Sequence, residues 1–528
     1  MVKEHNTESR RVGAVFERKL NFFSDHVVIS LFIIGFIALL LRLYYFPFGF
    51  PITLDGLLYF WYANDISILG HLPSYLVGND GWPIFLSIFF SIFHFNNFMD
   101  YMVLQRVVTV SISVLTIVPV YLLCKRFLDK PYALVGATIF AFEPRIIQNS
   151  LLGITEPLYI ILVSTALFLF LSNNKKIIYT SFSVVALGSL VRTEGFFLFF
   201  ALSIIFFIRY KKEKRVIGKY ALVACIFILT LLPMMITRIN IEGTERSIDK
   251  IRFSAIHIIQ SSSEDGVGLN SFVWTGLETS IKFLGWIMIP IFIFFVPIGF
   301  LLILKNRDHN RIIITIIVIM FIPAFYAFST ESFDTRYLYP LYPLFSVLSI
   351  FTIKLFGGKF SNRNTFLILL MGGILLSSSL FLDFKKMDIE HEKETLSLAY
   401  QVVNRTKVIN EYPPESKYVE ITTMTELTSF PVLRTDVKKP VTHMLDLKAE
   451  TLEEYIKIGK ENGLTHLVLD GKESAYHPYF FKDVFEHEEK YPYLMKEFDS
   501  LDYGYKYHLK IYKIDYDRFD SVINNNLE

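Results

Sequence analysis

Four short stretches of this sequence place carboxylates and arginines inside almost wholly apolar surroundings. Asp55 lies in ITLDGLLYFWYANDI, with Tyr59, Tyr62 and Asp65 on the turns that follow, and Asp80 comes later in the same segment. Glu143, Arg145 and Glu156 fall in AFEPRIIQNSLLGITEPLYI, Arg192 and Glu194 in LVRTEGFF, and Asp334 and Arg336 in ESFDTRYLYPLYP. An ionised side chain costs about 2.5–3.5 kcal/mol to insert at membrane depth, so each of these residues is a functional candidate by default. Acids deprotonate an acceptor hydroxyl or hold a divalent cation. Arginines match phosphate oxygens with a fork of donors. The combination suits a phosphorylated lipid substrate. Each residue also has a plainer reading. Asp55 can cap a helix, and Glu156 can answer the dipole of the helix it opens. Glu143 and Arg145 can mark the interface, Arg192 and Glu194 can pair between helices, and Arg336 can snorkel to the surface.

The elements that must position these residues are membrane spans. Hydrophobic residues make up 52% of the chain and 52 of its residues are Phe, which does not fit a soluble protein. Hydropathy marks about eleven spans, near 27–46, 101–124, 131–144, 156–172, 177–191, 195–208, 217–237, 279–304, 311–328, 337–354 and 364–382. With the N-terminus cytoplasmic, every short inside loop is basic. These loops carry Lys125, Arg126 and Lys130, then Lys175 and Lys176, then RYKKEKR at 209–215, then Lys305, Arg307 and Arg311, then Lys354, Lys359 and Arg363. The first outside loop, 47–100, holds no Lys or Arg, and an odd number of spans leaves the C-terminal end outside. All the candidate residues then share the outer face. Within that loop, WPIFLSIFFSIFHF at 82–95 reads as an interfacial helix. The basic start of the chain (Lys3, Arg10, Arg11, Arg18, Lys19) precedes an apolar run without a cleavage signature, which reads as a retained span.

Charge is nearly balanced, 52 basic against 50 acidic residues, so a nucleic-acid partner is not expected. Cys124 and Cys225 both fall in predicted spans, which excludes a disulfide framework or a cysteine metal site. The segment 238–278, with SSSEDGVGLN, reads as a mobile outside loop. After Asp383 the chain turns charged and mixed. KYVEI, LTHLVLD and YKYHLKIYKI read as strands and AETLEEYIKIGKENG as a helix, giving residues 384–528 as a small extracytoplasmic α/β domain behind a membrane domain of 1–383. Asn404-Arg405-Thr406 is a glycosylation sequon if that domain is outside. The fold class expected is therefore a polytopic α-helical membrane protein of the cell membrane with a small C-terminal α/β domain.

This ordered set of motifs resembles the GT-C superfamily of polytopic glycosyltransferases, which includes oligosaccharyltransferase catalytic subunits and protein O-mannosyltransferase-like enzymes. The likeness covers residues 25–382. It implies that Asp55 in LDGLLYFWYANDI is the catalytic base. Glu156 in TEPLYI would be the further acid, and Arg336 in RYLYPLYP would bind the lipid phosphate of the donor. RTEG resembles a motif written Arg-Pro-Glu-Gly, which implies donor-phosphate binding by Arg192, with Glu194, Tyr59, Arg145 and Asp80 supporting or binding substrate. A divalent cation, magnesium or manganese, would sit on Asp55 and Glu156. The sequence departs from the oligosaccharyltransferase pattern in two places. Ile154-Thr155-Glu156 holds a single acid, which weakens the case for metal, and the isolated Trp61, Trp82, Trp274 and Trp286 form no Trp-Trp-Asp motif. The implied reaction is inverting transfer of a monosaccharide from a polyprenyl- or dolichyl-phosphate carrier to a lipid, glycan or protein acceptor. The alternatives are an oligosaccharyltransferase, an O-antigen ligase or polymerase, or, from another class, a lipid or small-molecule transporter or flippase. A transporter usually carries two similar halves, and no such repeat is evident here.

Overall fold

Where no water reaches the backbone, a chain must satisfy its own hydrogen bonds, and the apolar runs accordingly fold as helices. The computed structural model describes residues 26–52, 54–73, 77–243, 269–305, 310–386, 388–405, 423–424, 449–461, 464–470 and 479–525. The basic N-terminal residues, Arg307, Thr406 of the sequon, KYVEI and most of SSSEDGVGLN lie outside them. Packing divides the chain into two units. The first comprises the described residues of 1–47, 76–89 and 104–386, the second those of 48–75, 90–103 and 387–528. The second unit joins two pieces of the segment 47–100 to the C-terminal region.

The helices in chain order are α1 (Val27–Tyr44), α2 (Leu54–Leu69), α3 (Gly81–Ile92), α4 (Phe98–Leu115), α5 (Ile117–Cys124), α6 (Lys130–Ala141), α7 (Pro144–Ser150) and α8 (Glu156–Phe170). They continue as α9 (Lys175–Val191), α10 (Gly195–Tyr210), α11 (Val216–Glu242), α12 (Leu269–Met288), α13 (Phe292–Lys305) and α14 (Asn310–Ser329). A 3-10 turn (Thr335–Leu341) leads into α15 (Tyr342–Gly357), and α16 (Arg363–Phe384) closes the bundle.

Among the described residues, six helical stretches are long and apolar enough to cross a bilayer, and a bent pair makes a seventh, against about eleven spans expected. The difference lies in length. Helix α6 has 12 residues, about 18 Å at 1.5 Å per residue against a hydrocarbon core of about 30 Å. Every residue of α6 from Tyr132 to Ala141 is buried within the bundle. The expected span 279–304 is broken. Its halves are bent by 115° between Met288 and Phe292, where Pro290 has no N–H to continue the helix.

Helices α1, α6 and α16 run in the same direction. Near the end of α1, the buried Arg42 donates to Ala141 O at the end of α6 (3.2 Å) and to Ser113 Oγ on α4 (2.9 Å). Just beyond α6, Arg145 stacks on Phe381 near the end of α16. At their opposite ends Arg363 meets Asp129 at 3.5 Å.

The second unit carries α17 (Ile389–Arg405), α18 (Leu452–Glu461), α19 (Phe480–Glu486), α20 (Tyr516–Asn525) and a four-stranded sheet. Its strands are β1 (Thr423–Met424), β2 (His466–Leu469), β3 (Leu494–Asp499) and β4 (Lys510–Ile514), in the order β1-β2-β4-β3. Strand β2 is parallel to β1 and antiparallel to β4, with Leu467 opposite Tyr512. Side chains alternate across a strand. Leu467, Leu469 and Tyr512 therefore pack with Tyr455 and Ile456 of α18, while Val468 and Ile511 pack with Leu398 of α17 and Phe498. This is the α/β domain read from LTHLVLD, YKYHLKIYKI and AETLEEYIKIGKENG.

Candidate active site

Glu156 opens α8, and the turn before it is held by donors from two other helices. Gln105 Nε2 (2.6 Å) and Trp82 Nε1 (3.2 Å) both donate to Gly153 O. Arg106 Nε donates to Leu151 O (2.9 Å) and Thr109 Oγ1 to Ser150 O (2.8 Å). Gly153 has φ +73°, a conformation that disfavours a side chain. The turn is fixed on α3 and α4, and with it the place of Glu156.

On that frame Glu156 is 1% exposed. Its Oε1 accepts from Arg192 Nη1 at 2.5 Å, and the same nitrogen donates to Thr155 Oγ1 at 3.1 Å. The other edge of the guanidinium takes Glu194, whose Oε1 accepts from Nη2 (2.6 Å) and Nε (3.0 Å). Arg192 follows α9, and Glu194 directly precedes α10. The RTEG turn between those helices thus closes a buried Glu156–Arg192–Glu194 triad. Glu156 Oε2 has no hydrogen-bond partner among the described residues. Two carboxylates on one guanidinium leave this cluster short of positive charge.

Arg336 supplies the next cation. Asp334 caps the 3-10 turn, Oδ1 accepting from Arg336 N at 2.8 Å and Oδ2 from Arg336 Nε at 2.6 Å. This leaves the Arg336 Nη1 edge 4.0 Å from Glu156 Oε1 with 30% of the side chain exposed. Arg336 is the accessible guanidinium of the cluster and Arg192 is the enclosed one. Behind it Tyr339 and Thr335 are hydrogen-bonded (3.3 Å), and Tyr342 donates to Ile287 O (3.1 Å).

Arg145 and Glu143 form a neighbouring group, 3.9 Å apart. Arg145 donates to Ile289 O at the break between α12 and α13, and its guanidinium lies over the rings of Trp286 and Phe381. These contacts tie Arg145 to the break between α12 and α13. Neither oxygen of the fully buried Glu143 has a hydrogen-bond partner among the described residues. Asp80, just before α3, is engaged by Arg238 near the end of α11 through Nε (2.9 Å to Oδ2) and Nη2, and both residues are buried. This pair ties the first outside segment of the unit to α11. Arg238 was not among the sequence candidates. The one signal that could have marked it is a charge at the end of an apolar run.

Asp55 and Tyr59 belong to the second unit. Asp55 stands exposed in the first turn of α2, while Tyr59 is buried. The helix is seated by an aromatic contact of Phe60 with Phe90 of α3 at 5.6 Å. Among the described residues no group of three or more His, Cys, Asp or Glu comes together as cation ligands. Glu156 stands between two guanidiniums, which oppose a second cation. On its side of the site the donor set does not fit magnesium or manganese.

A family model described as dolichyl-phosphate-mannose-protein mannosyltransferase matches residues 81–236, the stretch that carries Glu156, Arg192, Glu194 and Asp80. No curated protein matches the chain. Among solved structures, the oligosaccharyltransferase of Archaeoglobus fulgidus matches with TM-score 0.56 and 16% identity over 84% of this chain and 68% of that one. The same enzyme, AglB, in complex with an inhibitory peptide and a dolichol-phosphate, matches with TM-score 0.52 and 14% identity over 85% and 70%. ArnT from Cupriavidus metallidurans bound to undecaprenyl phosphate matches with TM-score 0.54 and 11% identity over 93% of this chain and 98% of that one. The chain is an integral membrane protein with the fold of the GT-C glycosyltransferases.

Proposed function

We propose that this protein transfers a monosaccharide from a polyprenyl- or dolichyl-phosphate carrier to a lipid, glycan or protein acceptor at the outer membrane face, with inversion at the sugar. The observation that carries the reading is the accessible edge of Arg336, held by Asp334 beside the buried Glu156–Arg192–Glu194 triad. That ArnT and AglB bind undecaprenyl phosphate and dolichol-phosphate supports the carrier.

In this reaction the acceptor oxygen attacks the anomeric carbon, its proton passes to the Asp55 carboxylate, and the bond from that carbon to the phosphate oxygen breaks. The carrier phosphate leaves with the electron pair. Arg336 faces the growing charge and favours the transition state over the ground state. Arg192, enclosed by two carboxylates, sets the positions of Glu156 and Glu194 and through Glu156 the placement of Arg336. Arg336→Ala should lose about 2–4 kcal/mol of transition-state stabilisation, as removal of one preorganised donor does. The loss should be the same for every acceptor. Arg336→Lys should retain part of the rate, because it keeps the charge and loses the fork. Asp55→Asn should lower turnover about 10²–10⁴-fold with insertion intact. Unaltered kinetics in Arg336→Ala and Asp55→Asn, measured as carrier phosphate released by the purified protein, would remove both roles.

A further inference from the structure

Away from the candidate site, α1, α6 and α16 line a half-open apolar cavity of about 250 Å³, whose walls include Ile34, Leu134, Thr138, Leu367, Met371 and Gly372. The cavity is larger than an engineered void of about 150 Å³ that stays dry and accepts benzene. Its few hydroxyls do not invite water. Ser30 Oγ donates to His26 O (3.2 Å) and Thr138 Oγ1 to Leu134 O (2.8 Å), each within its own helix. A dry cavity among membrane spans is filled by hydrocarbon.

Helix α16 gives a second, independent indication. It carries Gly372 and Gly373 in its middle, although glycine weakens a helix relative to alanine. In membrane helices glycine usually lets another backbone approach closely. Here a Cβ built at Gly372 or at Gly373 meets nothing within 4 Å, and of the two only Gly372 lines the cavity. No described protein atom accounts for the missing side chain at a position that lines the cavity.

The cavity runs along α6 from Pro131 to Phe142 and along α16 from Asn364 to Leu375, about 16 Å at 1.5 Å per residue. That is roughly half of a hydrocarbon core of about 30 Å, the depth of one leaflet. It begins where α6 and α16 carry Lys130 and Arg363, both exposed, with Arg363 3.5 Å from the exposed Asp129, and Glu143 and Glu156 follow the far end of α6. We infer that this cavity binds one acyl chain of an anionic phospholipid, whose headgroup meets Lys130 and Arg363, in the leaflet opposite the Glu156–Arg192–Glu194 triad. The site is separate from any carrier bound by Arg336. Its occupant packs against Gly372 and fills the seam between α16 and the rest of the bundle.

The test uses the full-length protein in nanodiscs containing phosphatidylglycerol with a diazirine in one acyl chain, followed by photolysis and peptide mapping. Label is expected on the 363–384 peptide. Gly372→Phe places a ring in the cavity and should lower that label about tenfold, the factor expected when about two methylenes lose their place. Gly372→Leu should give a smaller decrease in the same direction. Gly373→Phe, at a position that does not line the cavity, should leave the label unchanged. Melting of the detergent-solubilised wild type should rise on adding phosphatidylglycerol, and that rise should be absent in both Gly372 variants. Equal labelling in wild type and both Gly372 variants would overturn the inference. So would labelling of this peptide by a diazirine polyprenyl phosphate in preference to the phospholipid.

Discussion

Replacing Arg192 by Met tests the buried triad directly. The substitution removes the donors to Glu156 Oε1 (2.5 Å) and to Glu194 Oε1 (2.6 and 3.0 Å) at once, leaving the buried Glu194 without this guanidinium and Glu156 with only Arg336 at 4.0 Å. Glu156 is 1% and Glu194 8% exposed, so water cannot replace the lost partner. Removing one member of a buried ion pair costs about 3–5 kcal/mol, because an uncompensated charge stays behind. This is a large share of a total stability of about 5–15 kcal/mol. The same account requires strong coupling. With Glu156→Gln and Glu194→Gln already present, Arg192→Met should cost far less, because no buried charge is stranded. The assay is thermal unfolding in one detergent of wild type, Arg192→Met, the double glutamine variant and the triple variant, read as a mutant cycle. A coupling of about 2 kcal/mol or more is expected. An Arg192→Met protein that melts with the wild type, or a triple variant whose cost is the sum of its parts, would refute the reasoning.

Two further outcomes follow from packing and charge. A Cβ at Gly299 of α13 would lie 2.1 Å from Leu348 O of α15, whereas at Gly285 nothing lies within 4 Å. Gly299→Ala should therefore destabilise the protein by about 1–3 kcal/mol and Gly285→Ala should not, as compared by melting in one detergent. In the second unit, hydrogen bonds from Tyr491 (2.5 Å) and Lys490 (3.1 Å) hold the Asp483 carboxylate at about 2, below its ordinary value. A lowered acid pKa stabilises the fold above the unfolded value of about 3.9 and loses that contribution as pH falls through the folded value. Tyrosine fluorescence followed from neutral pH downward should show acid unfolding between about pH 4 and 2. Asp483→Asn should flatten that part of the profile, and an unchanged profile would exclude the carboxylate as its source.

Much of the bundle is legible because lipid leaves a chain few choices. An apolar run must become a helix, and the helices begin and end near the basic and aromatic punctuation read from the sequence. What hydropathy does not carry is which helices are sheathed by protein. Helix α6 reads as a span and is instead short and buried on all sides. The break at Pro290 was also hidden, since apolar residues continue on both sides of it. At the site, residue types and order pointed to Glu156, Arg192, Glu194 and Arg336, and the first three share direct contacts, with Arg336 4.0 Å from Glu156. The roles of the arginines depend on which edge of each guanidinium is already occupied, and spacing does not give that. Asp80 illustrates the limit. Its partner Arg238 lies 158 positions away at the end of a helix, and no local pattern links them. The grouping of 48–75 and 90–103 with the C-terminal domain is equally unreadable, because those segments share the composition of the spans around them.

The central claim is that a lipid-phosphate carrier donates the sugar, and the direct measurement follows both products of that transfer. Purified protein in lipid should be incubated with polyprenyl- and dolichyl-phosphate monosaccharides labelled in the sugar, together with membrane extract as acceptor source. The transfer reading requires, with at least one donor, equal amounts of freed carrier phosphate and labelled acceptor of inverted anomeric configuration, both lost in Asp55→Asn and Arg336→Ala. Movement of intact labelled carrier across the bilayer with no cleavage of the sugar–phosphate bond would contradict it and identify a flippase.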